Sequence, residues 1–330
     1  MVEPEHRGPT EPLRTAPPRR PGSVRRTSTV DTTWPDGFTG DAVVHGRARD
    51  LRTDLDGGIE VLDEAELRAR VAPDRTLSRL DGPDDRLQQL VGTWTFRGFR
   101  SATRDALPDL DGSPSPLRLL LDDLPPALLV SGFAYLAGDA YADVPAGSGS
   151  GFEGQIDICA GWARDSGMVQ AALERGRSPT PVSVPSPSLD DPADPLAWHD
   201  APLPPPVATR RRRLLDVRST DPASVVVEAL FRDSHLGPDG VERSFHEYAV
   251  RAVVDRPTRT IAAIEARHGV LPWHECPRAL ASAGRVVGTS IDDLRAQVRE
   301  TFRGTSTCTH LNDVLAAIGD TPVLLAHLTP

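Results

Sequence analysis

The sequence predicts an α+β fold, in which an antiparallel β meander packs with C-terminal helices beside an N-terminal strand and helix region and long proline-rich loops. Strand-like segments follow one another between residues 214 and 266, and turn signals lie at Gly237 to Gly240 and Arg256 to Arg259. Three segments with apolar residues at helical spacing then complete the chain.

The meander is predicted from β-branched and aromatic runs that alternate with polar residues. Its strands are expected at Leu214–Val217, Val225–Arg232, Phe245–Asp255 and Thr260–Ala266. In the third strand, His246 shares one face with Tyr248 and Val250 because side chains alternate along a strand. We therefore expect His246 to point towards the protein interior.

Each C-terminal helix has a start and a stop signal. The first opens at Cys276, with proline at the next position, and ends at Gly288. The second starts near Ser290 and stops at Gly304, and the third runs from Leu311 to Ile318. Cys276 and Cys308 therefore each lie at a predicted helix start.

The rest of the chain divides by composition. Residues 1–22 are rich in proline and predict a disordered tail, and residues 23–144 form an N-terminal α+β region. Residues 145–209 read as an insertion rich in Gly, Ser and Pro, a linker or a flap, with an ordered piece around 156–175. Residues 210–320 form the predicted C-terminal α+β domain.

Within the N-terminal region, strands are expected at Ser23–Thr33 and Asp41–Thr53. Asp63 and Glu66 resemble a capping box and predict a short helix. Helical segments are also expected at Pro116–Asp123 and Leu128–Leu136.

Composition excludes several classes of function. The chain has 330 residues and a formal net charge of −10, which argues against general binding to nucleic acids or anionic membranes. Its 37 basic residues are all arginine, so a lysine-based covalent mechanism is excluded. Three cysteines are too few for a disulfide framework, and no apolar run is long enough for a membrane span. These features favour a reducing cytoplasm.

Two short cysteine and histidine clusters predict the functional site. His274 and Cys276 form one cluster, and Cys308 and His310 form the other. A helix start favours an ionised thiolate, which metal ligation requires. We expect Cys276, Cys308, His310 and, from the sheet, His246 to bind zinc or an iron–sulfur cluster, with His274 or His268 as substitutes for His246. Such a protein would be a metal-binding accessory protein.

Two other interpretations stay open. In one, the protein is an enzyme that acts on an acyl or thioester substrate, with Cys276 as nucleophile and His310 as base. The run Arg210, Arg211, Arg212 and Arg213 would then suit a small anionic substrate or a protein partner, although such a run is more often a solvated edge. In the other, the cysteines are buried small hydrophobes, as is expected for Cys159.

Several short motifs in order resemble a bacterial domain family of unknown function. They are Pro21 to Thr27, His246-Glu247-Tyr248, Cys276-Pro277 and Cys308 to Asp313. The C-terminal part is also similar to iron–sulfur scaffold proteins of the NifU/IscU type, in which strands lead to a cysteine at a helix start. That second resemblance implies a metal-binding fold with Cys276, Cys308 and His310 as ligands.

Overall fold

The computed structural model describes residues 6–110, 112–137, 152–176 and 179–328. The predicted α+β fold class is confirmed, since one antiparallel sheet of nine strands carries helices on one of its faces. The strands are β1 Ser23–Thr33, β2 Ala42–Thr53, β3 Ile59–Val71, β4 Leu77–Asp81, β5 Val184–Pro185, β6 Ala208–Asp221, β7 Ser224–Leu236, β8 Glu242–Asp255 and β9 Thr260–His268.

The α-helices lie in three groups along the chain. They are α1 Phe99–Ala106, α2 Pro116–Val130, α3 Gly132–Ala137, α4 Gly167–Arg175, α5 Leu294–Thr301, α6 Thr309–Ile318 and α7 Thr321–Leu325. The segment Cys276–Val286, expected as an α-helix, is a 3₁₀-helix. Within the described ranges, no helix is long and apolar enough to cross a membrane.

One sheet joins the two predicted domains. Its order is β4-β3-β2-β1-β6-β7-β8-β5, with β9 also paired to β8. Because β1 pairs with β6 over its whole length, from Ser23 opposite Arg218 to Thr33 opposite Ala208, the predicted boundary at residues 209/210 does not separate two sheets.

The sheet has two differently covered faces. Helices α2, α3, α6 and α7 pack on the helical face. Residues 6–22 and 179–207 cross the opposite face, which we call the strap face. There the N–H of Leu13 donates to Glu247 Oε2 over 2.9 Å, and Arg19 pairs with Asp194 at 2.8 Å. The predicted disordered tail is therefore wrong for residues 6–22, and the proline-rich residues 179–207 pack against the sheet.

Buried arginines hold these straps in place. Arg25 donates to the carbonyl oxygen of Pro17, Arg210 to that of Pro202, and Arg232 to those of Pro187 and Leu13. Proline has no backbone N–H group, so proline-rich segments form little regular secondary structure. Their carbonyl oxygens remain hydrogen-bond acceptors. Guanidinium groups from the sheet therefore supply the donors that anchor the straps.

Ion pairs between directly opposed residues cross the interior of the sheet. They are Arg25–Asp216, Arg26–Asp50, Arg210–Asp31, Arg211–Asp233 and Arg232–Glu247, with N–O distances of 2.6–2.8 Å. The planar guanidinium fork suits a buried carboxylate better than an ammonium group does. The exclusive use of arginine as the basic residue thus suits the buried ion pairs in the core of this protein.

The helix predicted at Asp63 and Glu66 is wrong, because both residues lie in strand β3. In β3 the residues Ala65, Leu67 and Ala69 are buried while the charged residues between them are exposed. This period of two is typical of a strand with one solvated face, and the capping-box pattern occurs by coincidence.

Candidate functional site

Three helix starts meet at one place on the helical face. Cys159 precedes the 3₁₀-helix Ala160–Trp162, Cys276 begins the next 3₁₀-helix, and Cys308 is the N-cap of α6. The N–H of Ala160 donates to the carbonyl of Thr307 over 2.9 Å. A Cβ at Gly161 would lie 2.6 Å from Cys276 Sγ, so glycine is required for this close approach.

All three thiols line one cavity of about 750 Å³. Its lining includes Ala42 and Val71 from the apolar core under α2, and Trp273 from the core under the C-terminal helices. The cavity therefore lies where the two cores meet. His246 and His310 also line it. Its volume is in the range of small-molecule sites, about 300–1,000 Å³.

A β-bulge shapes one wall of the cavity. Asp233 of β7 is paired with His246 of β8, and the next pair is Ser234 with Ser244, so Phe245 is the extra residue. Phe245 and His246 both line the cavity although they are adjacent in sequence. A bulge re-aims side chains in this way and is common beside functional sites.

Two imidazoles and a carboxylate come together beside the bulge. The rings of His246 and His310 stack with a centroid distance of 3.7 Å and an angle of 19°. His310 Nε2 lies 3.4 Å from Asp233 Oδ2. Arg211 holds both oxygens of Asp233, with hydrogen bonds of 2.8 and 2.9 Å. The carboxylate is thus fixed in the direction of His310.

This cluster changes the predicted ligand set. Among the described residues, Asp233, His246 and His310 form the only group of three His, Cys, Asp or Glu side chains whose ligand atoms all lie within 4.8 Å of one another. Two of its members, His246 and His310, were predicted. Asp233 was missed because its position opposite His246 depends on the pairing of β7 with β8.

The predicted cysteine ligands lie outside this group. Cys308 Sγ is 3.9 Å from His310 Nδ1, and Cys276 lines the cavity at another point. Of the two substitutes, His274 is exposed, and the Nδ1 of His268 lies 2.8 Å from the carbonyl oxygen of Gly269. Cys159, expected as a buried small hydrophobe, is buried, and it lines the cavity together with the other two thiols.

The thiols are not ionised, contrary to the prediction from their helix starts. Burial raises the pKa of Cys276 well above its usual range, raises that of Cys308, and raises that of Cys159 to about 12. The cost of moving a thiolate out of water exceeds the stabilisation that a helix N-terminus gives. These cysteines are protonated at neutral pH.

Both imidazoles of the cluster are neutral. Burial lowers the pKa of His246 well below its usual value, and the neighbouring His310 lowers it further. Burial also lowers the pKa of His310, followed by the charges of Arg211 and Arg213. Neutral imidazoles retain the lone pair that binds a metal or accepts a proton.

The four consecutive arginines are structural. Arg210, Arg211, Arg212 and Arg213 are all at most 6% exposed and alternate between the two faces of β6. Their partners are Asp31, Asp233, Asp190 and Asp123 respectively. Both the solvated edge and the anionic substrate site predicted for this run are therefore wrong.

Comparison with known proteins identifies part of the chain. Residues 209–324 match a family model. Its description is "Protein of unknown function (DUF2889)". The predicted resemblance to a domain family of unknown function is thereby confirmed. No curated protein matches the chain, and no solved structure matches it, so the similarity to NifU/IscU-type scaffold proteins has no support from these comparisons.

The DUF2889 domain supplies only part of the cavity lining. Asp233, His246, Cys276, Cys308 and His310 lie within the matched residues. Four aromatic side chains of the lining come from outside them, and they are Trp34, Phe38, Phe133 and Trp162. The polar cluster thus belongs to the family domain, and much of the apolar wall belongs to the N-terminal half.

Proposed function

We propose that this protein binds a divalent transition-metal ion, zinc or ferrous iron, through Asp233, His246 and His310. The observation that carries the proposal is the convergence of their ligand atoms within 4.8 Å at the wall of a substrate-sized cavity. Two histidines and one carboxylate, with further positions open, form a ligand set used for ferrous iron and catalytic zinc. The absence of a cysteine from this described group disfavours an iron–sulfur cluster.

The hydrogen bonding of His246 supports a ligand role. Its Nδ1 is buried and has no hydrogen-bond partner among the described residues. A buried polar atom without a partner is costly unless it interacts with a water or an ion. A bound metal would satisfy this nitrogen.

Charge also supports the proposal. Asp233, Asp123 and Asp313 lie around Arg211 and Arg213, so three carboxylates accompany two guanidinium groups in this cluster. Arg211 uses one lone pair on each oxygen of Asp233, and a carboxylate has about four such positions. Arg211 can therefore orient Asp233 while that carboxylate binds a cation.

Metal binding requires a rearrangement of the stacked rings. A metal lies in the plane of each imidazole that binds it, and two planes at 19° whose centroids are 3.7 Å apart do not converge near the rings. One ring must turn about its Cβ–Cγ bond. That torsion is broad in energy, so the change is accessible.

Metal content tests the proposal. Protein purified without oxygen and loaded with zinc or ferrous iron is expected to hold about one equivalent. The His246→Gln and His310→Gln variants should lose at least about tenfold in affinity, as is typical when a coordination shell is disrupted. His268→Gln is the matched control and should bind as the wild type does. Negligible metal in the loaded wild type, or equal metal in all variants, contradicts the proposal.

A second candidate function rests on the contact between Cys308 and His310. Cys308 Sγ lies 3.9 Å from His310 Nδ1, and Asp233 lies on the far side of that ring, so the three follow the order of a nucleophile, a base and an orienting carboxylate. In this enzyme Cys308 replaces Cys276 as nucleophile. The Cys308→Ser variant separates the two functions, because it should keep its full metal load if the first is correct.

A further inference from the structure

Aromatic rings from distant parts of the chain converge on the cavity. Six of its lining side chains are aromatic, and they are Trp34, Phe38, Phe133, Trp162, Phe245 and Trp273. They include three of the five tryptophans of the chain. Small-molecule sites are typically lined by apolar and aromatic side chains together with a few polar groups. The lining therefore has the composition of a binding site for an organic compound.

These rings differ in how completely the protein covers them. Phe133, Phe245 and Trp273 are at most 6% exposed. The rings of Phe133 and Phe245 are stacked, with a centroid distance of 3.8 Å and an angle of 10°. Trp34 and Trp162 are only half-buried, although each packs against one of the two apolar cores. Packing within the chain thus covers the first three rings and leaves part of the surface of the two tryptophans uncovered.

The cavity opens to solvent and is too large to be a packing defect. Leu129, near the end of α2, and Thr39, between β1 and β2, both line it and are both exposed. A small molecule can therefore enter from the surface. Protein interiors leave few voids larger than a water molecule, whereas this space measures about 750 Å³. We infer that the space serves to hold a ligand.

Sulfur atoms add to the preference of the lining for aromatic groups. The side chains of Cys159, Cys276 and Cys308 line the same cavity. Sulfur is polarisable, and its contacts with the edges of aromatic rings are favourable. Aromatic side chains likewise favour stacked or edge-on contacts with another ring. Both kinds of wall therefore favour an aromatic ligand over an aliphatic ligand of the same size.

We propose that the cavity binds a planar aromatic compound, whose rings contact the uncovered surfaces of Trp34 and Trp162. This binding goes beyond the proposed metal site and does not require a bound metal, since His246 and His310 supply only part of the lining. The ligand class follows from the rings and the sulfur atoms of the walls.

Two alcohols with the same bicyclic carbon skeleton test the preference for an aromatic ring. They are naphthalen-2-ol, which is planar and aromatic, and decahydronaphthalen-2-ol, its saturated counterpart. The saturated alcohol has at least as much apolar surface, so burial of that surface alone gives naphthalen-2-ol no advantage. In isothermal titration calorimetry with EDTA in the buffer, naphthalen-2-ol is expected to bind about tenfold more tightly, the combined effect of a few contacts between aromatic rings.

The double variant Trp34→Leu with Trp162→Leu assigns the contact to these two rings. Leucine keeps the lining apolar but removes the rings, so the affinities for the two alcohols should become equal within about twofold. Trp94→Leu is the matched control and should keep the preference, because Trp94 is 47% exposed and is not among the lining residues.

The wild-type comparison tests the proposal even if the double variant does not fold. Absence of naphthalen-2-ol binding to the wild type, equal affinity of the wild type for the two alcohols, or an unchanged preference in the folded double variant overturns the proposal. Because EDTA keeps the protein free of metal, each of these results leaves the metal titration unaffected.

Discussion

At the scale of the residue, burial decides the protonation of nearly every reactive group in this protein. His199 illustrates this on the strap face, where its two ring nitrogens each lie 2.9 Å from a hydroxyl, of Thr27 and of Thr29. Burial, followed by the positive charges of Arg49 and Arg212, lowers the pKa of His199 to about 3. The folded protein therefore holds this imidazole neutral at physiological pH.

The depressed pKa of His199 makes stability dependent on pH. In the unfolded chain a histidine titrates near pH 6.5, so between about pH 6.5 and 3 the unfolded state binds more protons than the folded state. Stability is full above pH 6.5 and falls as the pH decreases, by roughly 1.4 kcal/mol per pH unit. The His199→Gln variant should remove this loss, which amounts to about 2 kcal/mol between pH 6.5 and 5. Urea denaturation of both proteins at the two pH values measures it, and parallel pH profiles would contradict it.

The dependence of protonation on burial also explains which parts of the site could be predicted from the sequence. His246 was correctly placed on the inward face because strand periodicity alone determines that face. The ionisation of Cys276 and Cys308 was not predictable, since it depends on how completely other elements cover them. Asp233 carries no local signal, because neither its pairing with His246 nor its contact with His310 is close in sequence.

At the scale of the element, strands β1 and β6 are aligned by two kinds of ion pair, one with the arginine on β1 and the other with the arginine on β6. Arg25 of β1 faces Asp216 of β6, whereas Asp31 of β1 faces Arg210 of β6. A shift of register by one residue would leave these buried charges without partners. The pairs thus specify the alignment that joins the two halves of the sheet.

Removing one partner of such a pair should be costly. Arg25 and Asp216 are both about 1% exposed. We expect Arg25→Met to destabilise the protein by about 3–5 kcal/mol, because it leaves a buried carboxylate without its counter-charge. The double variant Arg25→Met with Asp216→Leu should recover much of the lost stability. The destabilisation that remains would come from the hydrogen bonds that Arg25 makes to the carbonyl groups of Pro17 and Ala197. Denaturant midpoints measure both, and equal destabilisation of the single and double variants would argue against the pairing.

Helices and strands could be predicted where the turn residues and the spacing of apolar residues indicate the same element. Strand β1 was predicted at its observed bounds, Ser23–Thr33, and the meander followed from its turns. Strand β3 was missed because Asp63 and Glu66 imitate a capping box. The run of arginines in β6 was interpreted as a surface feature, since charged residues are rarely buried without partners and the partners come from distant strands.

At the scale of the whole molecule, the proline-rich straps complete the fold. Trp198 lies over the guanidinium of Arg212, 4.0 Å from its Cζ to the ring centre, and packs with Leu214 and Leu230 of the sheet. Glu247 is fully buried and accepts hydrogen bonds from the N–H groups of Leu13 and Val270. The predicted disordered tail and the predicted proline-rich insertion therefore both cover charged groups of the core.

Truncation of the N-terminal strap tests this role. A variant lacking residues 1–16 removes the contacts of Leu13 with Glu247 and Arg232. We expect it to lose about 2–4 kcal/mol of stability, from lost hydrogen bonds to a buried charge pair and from exposure of apolar surface. A variant lacking only residues 1–5 is the control, since it keeps the contacts of Leu13. Equal urea midpoints for both truncations would favour the disordered tail that the sequence predicts.

The bulge at Phe245 places two consecutive side chains in the lining of the cavity. Consecutive Cα atoms are about 3.8 Å apart, and the rings of Phe245 and His246 have centroids 5.3 Å apart. The aromatic ring of Phe245 and the imidazole of His246 are therefore neighbours on the same wall of the cavity. A regular strand would have turned one of these two side chains to the strap face. One extra residue in β8 thus brings an apolar ring and an imidazole together in the lining of the cavity.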